Sequence, residues 1–157
     1  MKLLFKQRFF SWFDSYDVYY ENGDVAYVVK GELSWGKLLR LYDAQGNHIG
    51  TVKQQIFTFL PKFDLYEGER LFSTLCKELT FFSSRYYFDG GPEWEMEGDF
   101  LGWDYTLTDQ RGDTIATISK ELWNWTDTYS ITVHDPQNAL TALMSVIAID
   151  AVQSQNN

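Results

Sequence analysis

Residues 43–52 read DAQGNHIGTV, and residues 109–118 read DQRGDTIATI. Both stretches begin with an aspartate, carry a glycine three positions later and continue with alternating apolar and small polar residues. Glycine supplies the positive φ that a tight hairpin turn requires, and the alternation is typical of a half-buried strand. Each stretch therefore predicts a β-hairpin, and their offset of 66 residues indicates an internal repeat.

Short alternating runs separated by turn residues continue outward from this repeat through most of the chain. They predict twelve strands: Leu3–Gln7, Tyr16–Tyr20, Val25–Gly31, Leu38–Tyr42, His48–Gln54, Lys62–Tyr66, Glu69–Cys76, Arg85–Phe88, Glu93–Glu97, Asp104–Thr108, Thr114–Lys120 and Thr128–His134. Consecutive hairpins must pair with each other to bury one face. Closure into a barrel removes the exposed edges. The sequence therefore predicts a mainly β protein, a twelve-stranded closed antiparallel β-barrel.

The last apolar segment, residues 137–152, changes from a strand pattern to a helical one. It contains no Gly or Pro, and the preceding Asp135-Pro136 is a typical helix start. Its apolar residues cover nearly the whole helix circumference, so the helix is expected to be buried on all sides. The axis of the barrel offers such a place. A single domain is predicted over residues 1–153, followed by a polar tail at 154–157.

Composition and charge narrow the classes of function. The only cysteine is Cys76, so neither an intramolecular disulfide nor a thiolate metal cluster is expected. Residues 1–62 carry eight Lys/Arg against six acids, whereas residues 63–157 carry five against sixteen. A nucleic-acid partner is not expected, because such binders display a dominant basic field. The sequence predicts neither a signal peptide nor a membrane span. A cytoplasmic location is expected, and peripheral membrane contact stays open.

Several stretches resemble one protein family. They are residues 30–43 (KGELSWGKLLRLYD), 97–103 (EGDFLGW), 118–122 (ISKEL) and the closing helix with Ala148-Ile149-Asp150. The chain resembles the bacterial members of the LURP-one-related family, which share the tubby C-terminal-like fold with tubby proteins and phospholipid scramblases. This resemblance implies a twelve-stranded barrel around a central helix.

The same resemblance bears on lipid binding. In tubby proteins a Lys-x-Arg pair on a strand holds phosphoinositide headgroups, and the similar segment here is Lys30-Gly31-Glu32. Glu32 places a negative charge where a phosphate would lie. The stretch similar to the calcium-associated loop of scramblases, residues 134–138, keeps one acid, Asp135. Phospholipid or phosphoinositide binding is therefore an alternative function and not the main prediction.

The candidate binding residues fall into two groups. The basic N-terminal half is the part of the chain suited to an anion, and Lys30, Lys37 and Arg40 are its candidate ligand-binding residues. The aromatic crossings at residues 9–13, 56–60 and 123–125 are predicted to plug the barrel ends, since aromatic side chains are usually buried. If several were exposed together, they would instead mark a partner or membrane surface.

No catalytic residue, metal ligand or cofactor is predicted. The acidic strand Glu93–Glu97 is interpreted as a solvated outer face. A carboxylate pair such as Glu95 with Asp99 leaves an uncharacterised hydrolase as a second alternative. Cys76 is expected to be a core residue. Asp150, in the buried helix, is expected to bond to donors from strand ends or loops where the helix leaves the barrel.

The main functional prediction is a non-catalytic intracellular binding or scaffold module. Its partner is an unknown protein or an apolar or lipid ligand.

Overall fold

The computed structural model describes residues 1–6, 15–99, 104–123 and 126–153. These residues form twelve strands, a short 3₁₀ helix and one α-helix. In chain order the elements are β1 (Lys2–Lys6), β2 (Ser15–Tyr20), β3 (Val25–Glu32), β4 (Leu38–Asp43), β5 (His48–Gln54), β6 (Lys62–Glu67), β7 (Arg70–Lys77), β8 (Ser83–Asp89), β9 (Glu95–Asp99), β10 (Tyr105–Thr108), β11 (Thr114–Trp123), β12 (Thr126–Val133), the 3₁₀ helix (Pro136–Asn138) and α1 (Ala139–Gln153).

The sheet is a closed antiparallel barrel. Each strand pairs with the next along the chain, and β12 pairs with β1 to close the ring. All twelve predicted strands are present, which confirms the predicted fold class. The largest difference from the predicted bounds is at the end of β11, which continues to Trp123 and does not stop at Lys120. β9 begins at Glu95 and not at Glu93, because a turn closes on Pro92 when the Trp94 N–H donates to its carbonyl oxygen at 2.9 Å. Gln7, at the end of the first predicted strand, lies outside the described residues.

The two repeated turns are alike in atomic detail. The carboxylate of Asp43 accepts hydrogen bonds from the backbone N–H groups two and four residues later, at 3.0 and 2.8 Å. Asp109 does the same at 2.8 and 3.0 Å. Gly46 and Gly112 have φ of 87° and 83°, the left-handed conformation that glycine adopts without strain. The aspartate and the glycine therefore specify the turn together.

The strands that follow these turns also match. The pairing register skips Ile49 in β5 and Ile115 in β11, so each strand carries a β-bulge at the same place. Both isoleucines are partly buried against the core, and Val52 and Ile118, three residues further on, are fully buried. The predicted equivalence of these two pairs is confirmed.

The barrel is filled by α1. Asp135 caps the preceding 3₁₀ turn by accepting a hydrogen bond from the N–H of Gln137, and Pro136 occupies its first position. Twelve of the fifteen residues of α1 are buried, on every face of the helix. They pack against the inward side chains of the strands in one continuous core, so the prediction of a central helix is confirmed. No helix in the described ranges is long and apolar enough to cross a bilayer.

Two inward glycines make this packing possible. A Cβ at Gly50 would lie 3.1 Å from Met144 Sδ and 3.2 Å from the carbonyl oxygen of Tyr66, so β5 approaches the helix closely only because this side chain is absent. A Cβ at Gly98 would overlap the ring of Tyr105, its cross-strand partner. The glycine of the EGDFLGW stretch therefore has a packing role, since it makes room for an aromatic ring inside the barrel.

Candidate functional site

The two ends of the barrel differ in construction. Because the strands alternate in direction, the connections at 33–37, 55–61 and 78–82 all lie at one end, here called the loop end. The connections at 21–24, 44–47, 68–69, 90–94, 109–113 and 134–135 lie at the other, the turn end. Helix α1 follows β12 from the turn end, so its last turn lies at the loop end.

Lys30 and Arg40 lie together on the outer face of the barrel. They are cross-strand partners in β3 and β4. Arg40 Nε lies 2.7 Å from Glu32 Oε1, and Lys30 Nζ lies 4.8 Å above the centroid of the Tyr42 ring. The charge of Arg40 is thus balanced by Glu32, the last residue of the segment Lys30-Gly31-Glu32. An exposed pair of this kind stabilises a protein by no more than about 1 kcal/mol.

Lys37, the third candidate binding residue, lies apart from that pair. Its ammonium group donates to the backbone oxygen of Ala151 in the last turn of α1. Burial lowers the pKa of Lys37 to about 7, and the negative charge of Asp150 opposes this shift. Burial raises the pKa of Asp150 to about 6, opposed in turn by the charge of Lys37. The charged neighbour of the helix carboxylate is therefore a loop residue at the end where the helix stops.

The same mouth of the barrel holds a second polar contact. The side-chain amide of Gln153 donates to the hydroxyl of Tyr105 at 3.1 Å. Burial raises the pKa of Tyr105, so this phenol stays neutral at physiological pH. Lys37, Asp150, Gln153 and Tyr105 together attach the end of the helix to the barrel wall. Their contacts indicate a structural closure.

The main surface feature is a group of exposed apolar side chains at the loop end, of which only residues 56–60 belong to a predicted aromatic crossing. Of the twelve large apolar residues that are exposed in the described part of the chain, eight lie in the loop-end connections 33–37, 55–61 and 78–82. We call this set the apolar rim: Leu33, Trp35, Ile56, Phe57, Phe59, Leu79, Phe81 and Phe82. Its five aromatic members are between 82% and 98% exposed. Since β3 to β8 are consecutive neighbours in the barrel, the three connections lie side by side.

The predicted plugging of the barrel end is wrong for the crossing at 56–60, because Ile56, Phe57 and Phe59 are exposed. The physical reason is that α1 and the inward strand residues already fill the lumen, which leaves no volume for a plug. The crossings at 9–13 and 123–125 lie outside the residues whose side chains the structure describes. The aromatic residues of this segment correctly indicated an unusual loop, but their sequence does not determine whether the side chains point into the barrel or toward solvent.

Two connections of the rim are held against each other. The backbone N–H of Gln54 donates to the carbonyl oxygen of Lys37 at 2.8 Å, and the Lys37 N–H donates to the Gln54 side chain at 3.2 Å. Between them lies an open groove of about 670 Å³, lined by residues 33–36 with Ile56 and Phe57. Phe57 has φ of 60°, an uncommon conformation for a bulky residue. Such strain persists only where the surrounding structure enforces it.

The turn end is polar and acidic. Its six connections contain seven acids and one arginine, whereas the three connections of the rim contain one acid and one lysine. Three lysines lie directly beside the rim: Lys53 near the end of β5, Lys62 at the start of β6 and Lys77 at the end of β7. Among the described residues, none of the three has a carboxylate within ion-pair distance. We call these three the lysine collar.

The acidic strand shows no sign of a paired-carboxylate site. Glu95 and Glu97 are exposed on the outer face of β9, and Arg85 Nη2 lies 3.3 Å from Glu95 and its Nε 3.8 Å from Glu97. Glu95 and Asp99 are four residues apart on one strand, so their Cα atoms are about 13 Å apart. The carboxyl groups of glycosidases lie only about 5–9.5 Å apart. Cys76 is buried, and burial raises the pKa of its thiol.

Fold and surface define a class of protein: a closed antiparallel barrel, filled by its own C-terminal helix, with one acidic end and one apolar end. Residues 1–150 match the LURP-one-related family, and the chain belongs to that family. It is 25% identical over 154 residues to the uncharacterized protein YxjI of Bacillus subtilis strain 168. The aligned region covers 97% of this chain and 93% of the relative. No solved structure shows significant similarity to the chain.

Proposed function

We propose that this protein is a non-catalytic intracellular binding module that holds its partner at the apolar rim. The observation that carries the proposal is the gathering of most exposed apolar side chains in three neighbouring loops. The five aromatic side chains of the rim alone can bury an area on the order of 1,000 Å² against a partner, since one such side chain buries about 150–250 Å². The largest apolar patch on a typical monomer measures about 300–600 Å².

The other regions of the barrel favour this choice of surface. The lumen is occupied by α1, so a ligand cannot enter it without displacing the helix. On the outer face Arg40 is balanced by Glu32, which removes much of the positive charge that an anion would need. The relationship of this fold to the tubby proteins and scramblases is part of the proposal and is supported by the arrangement of twelve strands around one helix.

Photo-crosslinking in living cells tests the proposal. A benzophenone amino acid is placed at Phe57 or Phe82 in the rim, and at Leu71 as a matched control, because Leu71 is 51% exposed at the start of β7, at the turn end. We expect discrete adducts from the rim positions and none above background from the control. Equal labelling at both ends, or no adduct at the rim, would contradict the proposal.

A further inference from the structure

We propose that the partner of the apolar rim is the surface of an anionic lipid bilayer, on which the barrel stands with its loop end down. This inference rests on the proposed function and names the chemical class of its partner. Trp, Phe and Leu on adjacent loop tips are the residue types that enter the boundary between headgroups and acyl chains. The rim consists of these types with one isoleucine, and it presents them at a single end of the molecule.

The lysine collar supplies the second requirement. Lys53 is exposed, and Lys62 and Lys77 are half-buried; all three lie within one or two residues of a strand end at the loop end. The nearest cross-strand acid is Asp64, the partner of Lys53. Its carboxylate already accepts hydrogen bonds from Gln55 at 2.8 Å and from Thr74 at 2.7 Å. Lys53 and Lys62 therefore face outward, next to the inward Val52 and Phe63, whereas Lys77 lies at the mouth of the barrel opposite the buried Tyr86. We infer that these charges at the loop end are available to anionic headgroups.

A partner that matches this surface must be apolar where the rim touches it and anionic around the contact. A second copy of the chain does not fit, because a rim-to-rim dimer would bring two lysine collars together. An anionic bilayer fits both parts, since its phosphate groups lie above its hydrocarbon.

The net charge of −9 does not prevent such docking. Of the acids in the described connections, seven lie at the turn end, whereas Glu78 and Asp104 lie at the loop end. Helix α1 spans the distance between the two ends with fifteen residues. At 1.5 Å per residue this separation is about 22 Å. The Debye length at physiological ionic strength is about 8 Å. A membrane at the loop end therefore meets the field of the collar, while the acidic turn end is screened and points away.

Vesicle flotation of the full chain tests the inference. The probes are phosphatidylcholine vesicles and vesicles with about one third phosphatidylglycerol, at 0.05, 0.15 and 0.5 M NaCl. We expect binding to the anionic vesicles that is at least tenfold stronger than to the neutral ones and that weakens with salt, as electrostatic attraction to anionic lipid requires. Absence of binding to anionic vesicles at the lowest salt would refute the inference, and so would equal, salt-insensitive binding to both vesicle types.

Paired variants assign the binding to the loop end. Phe57→Ser with Phe82→Ser removes two rim anchors, and Lys53→Gln with Lys77→Gln removes two collar charges. We expect each pair to lower vesicle affinity at least tenfold. The control Leu71→Ser with Arg70→Gln makes the same kinds of change at the turn end and should bind as the unmodified chain does. Binding unaffected by either loop-end pair would overturn the inference.

The two proposals fail separately. Protein adducts from benzophenone at Phe57, together with no flotation, would refute the bilayer and keep the rim as a protein-binding surface. No adduct at the rim and no flotation would remove both proposals. Thermal melts of all variants establish that each is folded.

Discussion

Replacing both Leu143 and Ile147 by alanine should remove most of the stability of the domain. Both side chains are buried, at 0% and 2% exposure, and they lie one helical turn apart in the centre of α1. Truncation of a buried Leu or Ile to Ala destabilises a protein by about 2–5 kcal/mol. The wall around this helix is a closed ring of hydrogen-bonded strands that collapses poorly onto a cavity, so we expect the upper half of that range at each site.

The two losses together reach about 7–10 kcal/mol, reduced where the cavities merge. A domain is stable by about 5–15 kcal/mol, so the double variant should be at or below the threshold of folding. Urea unfolding followed by tryptophan fluorescence and far-ultraviolet circular dichroism measures the free energy of unfolding. Leu79→Ala is the control, because this side chain is 69% exposed and its loss should change stability by no more than about 0.5 kcal/mol.

Truncation extends the same test. Deleting residues 139–157 should give insoluble or molten protein, whereas deleting only 154–157 should be tolerated. A cooperative urea transition from the longer deletion, or a loss under about 2 kcal/mol in the double variant, would mean that α1 is peripheral to the core.

Three further predictions follow from particular contacts. Gly50→Val should destabilise the domain by at least about 1–3 kcal/mol in urea unfolding, because the new side chain meets Met144 and the backbone of Tyr66, and normal stability would disprove this close approach. Phe57→Gly should leave the free energy of unfolding unchanged or raise it by up to about 1 kcal/mol, because glycine adopts a left-handed φ without strain and the ring that is removed is exposed. A clear decrease in the free energy of unfolding would show that the ring packs against the protein. Lys37 has a folded pKa of about 7 and an ordinary unfolded value of 10.5, so between these values unfolding takes up a proton and the free energy of unfolding rises with pH. The difference in that free energy between the unmodified chain and Lys37→Met should therefore grow from pH 7 to pH 9.5 in parallel urea titrations, and a constant difference would count against a depressed pKa.

The strands and the helix could be predicted because local chemistry specifies them. Asp43 and Gly46 form the same turn as Asp109 and Gly112 with the same hydrogen bonds, so the repeat in the sequence corresponds directly to a repeat of structure. The helix was predictable from apolar residues on all its faces. The start of β9 was not, because Glu93 continues the alternating pattern but belongs to the turn that closes on Pro92.

The surface that we propose binds a partner could be predicted only in part. Residues 56–60 are aromatic in the sequence, but whether they plug the barrel or project from it depends on how completely α1 fills the lumen. That is a property of the assembled volume and is not contained in any local pattern. The Asp150 carboxylate could be expected to have a partner, since buried charges are normally paired. Its charged neighbour, Lys37, lies in the connection between β3 and β4, and no local pattern shows that this loop meets the last turn of α1.

Closure of the ring by β1 and β12 has a consequence for how the chain is made. Lys2 of β1 pairs with Thr132 of β12, so β1 cannot form all its backbone hydrogen bonds until β12 has been synthesised. Such distant pairing is slow, because the entropy of closing a long loop is lost before the contacts form. The intermediate exposes strand edges and the wall of an empty lumen, which are aggregation-prone surfaces. Helix α1, which begins at Ala139, then fills the lumen. The barrel can therefore reach its native packing only after this helix has been synthesised.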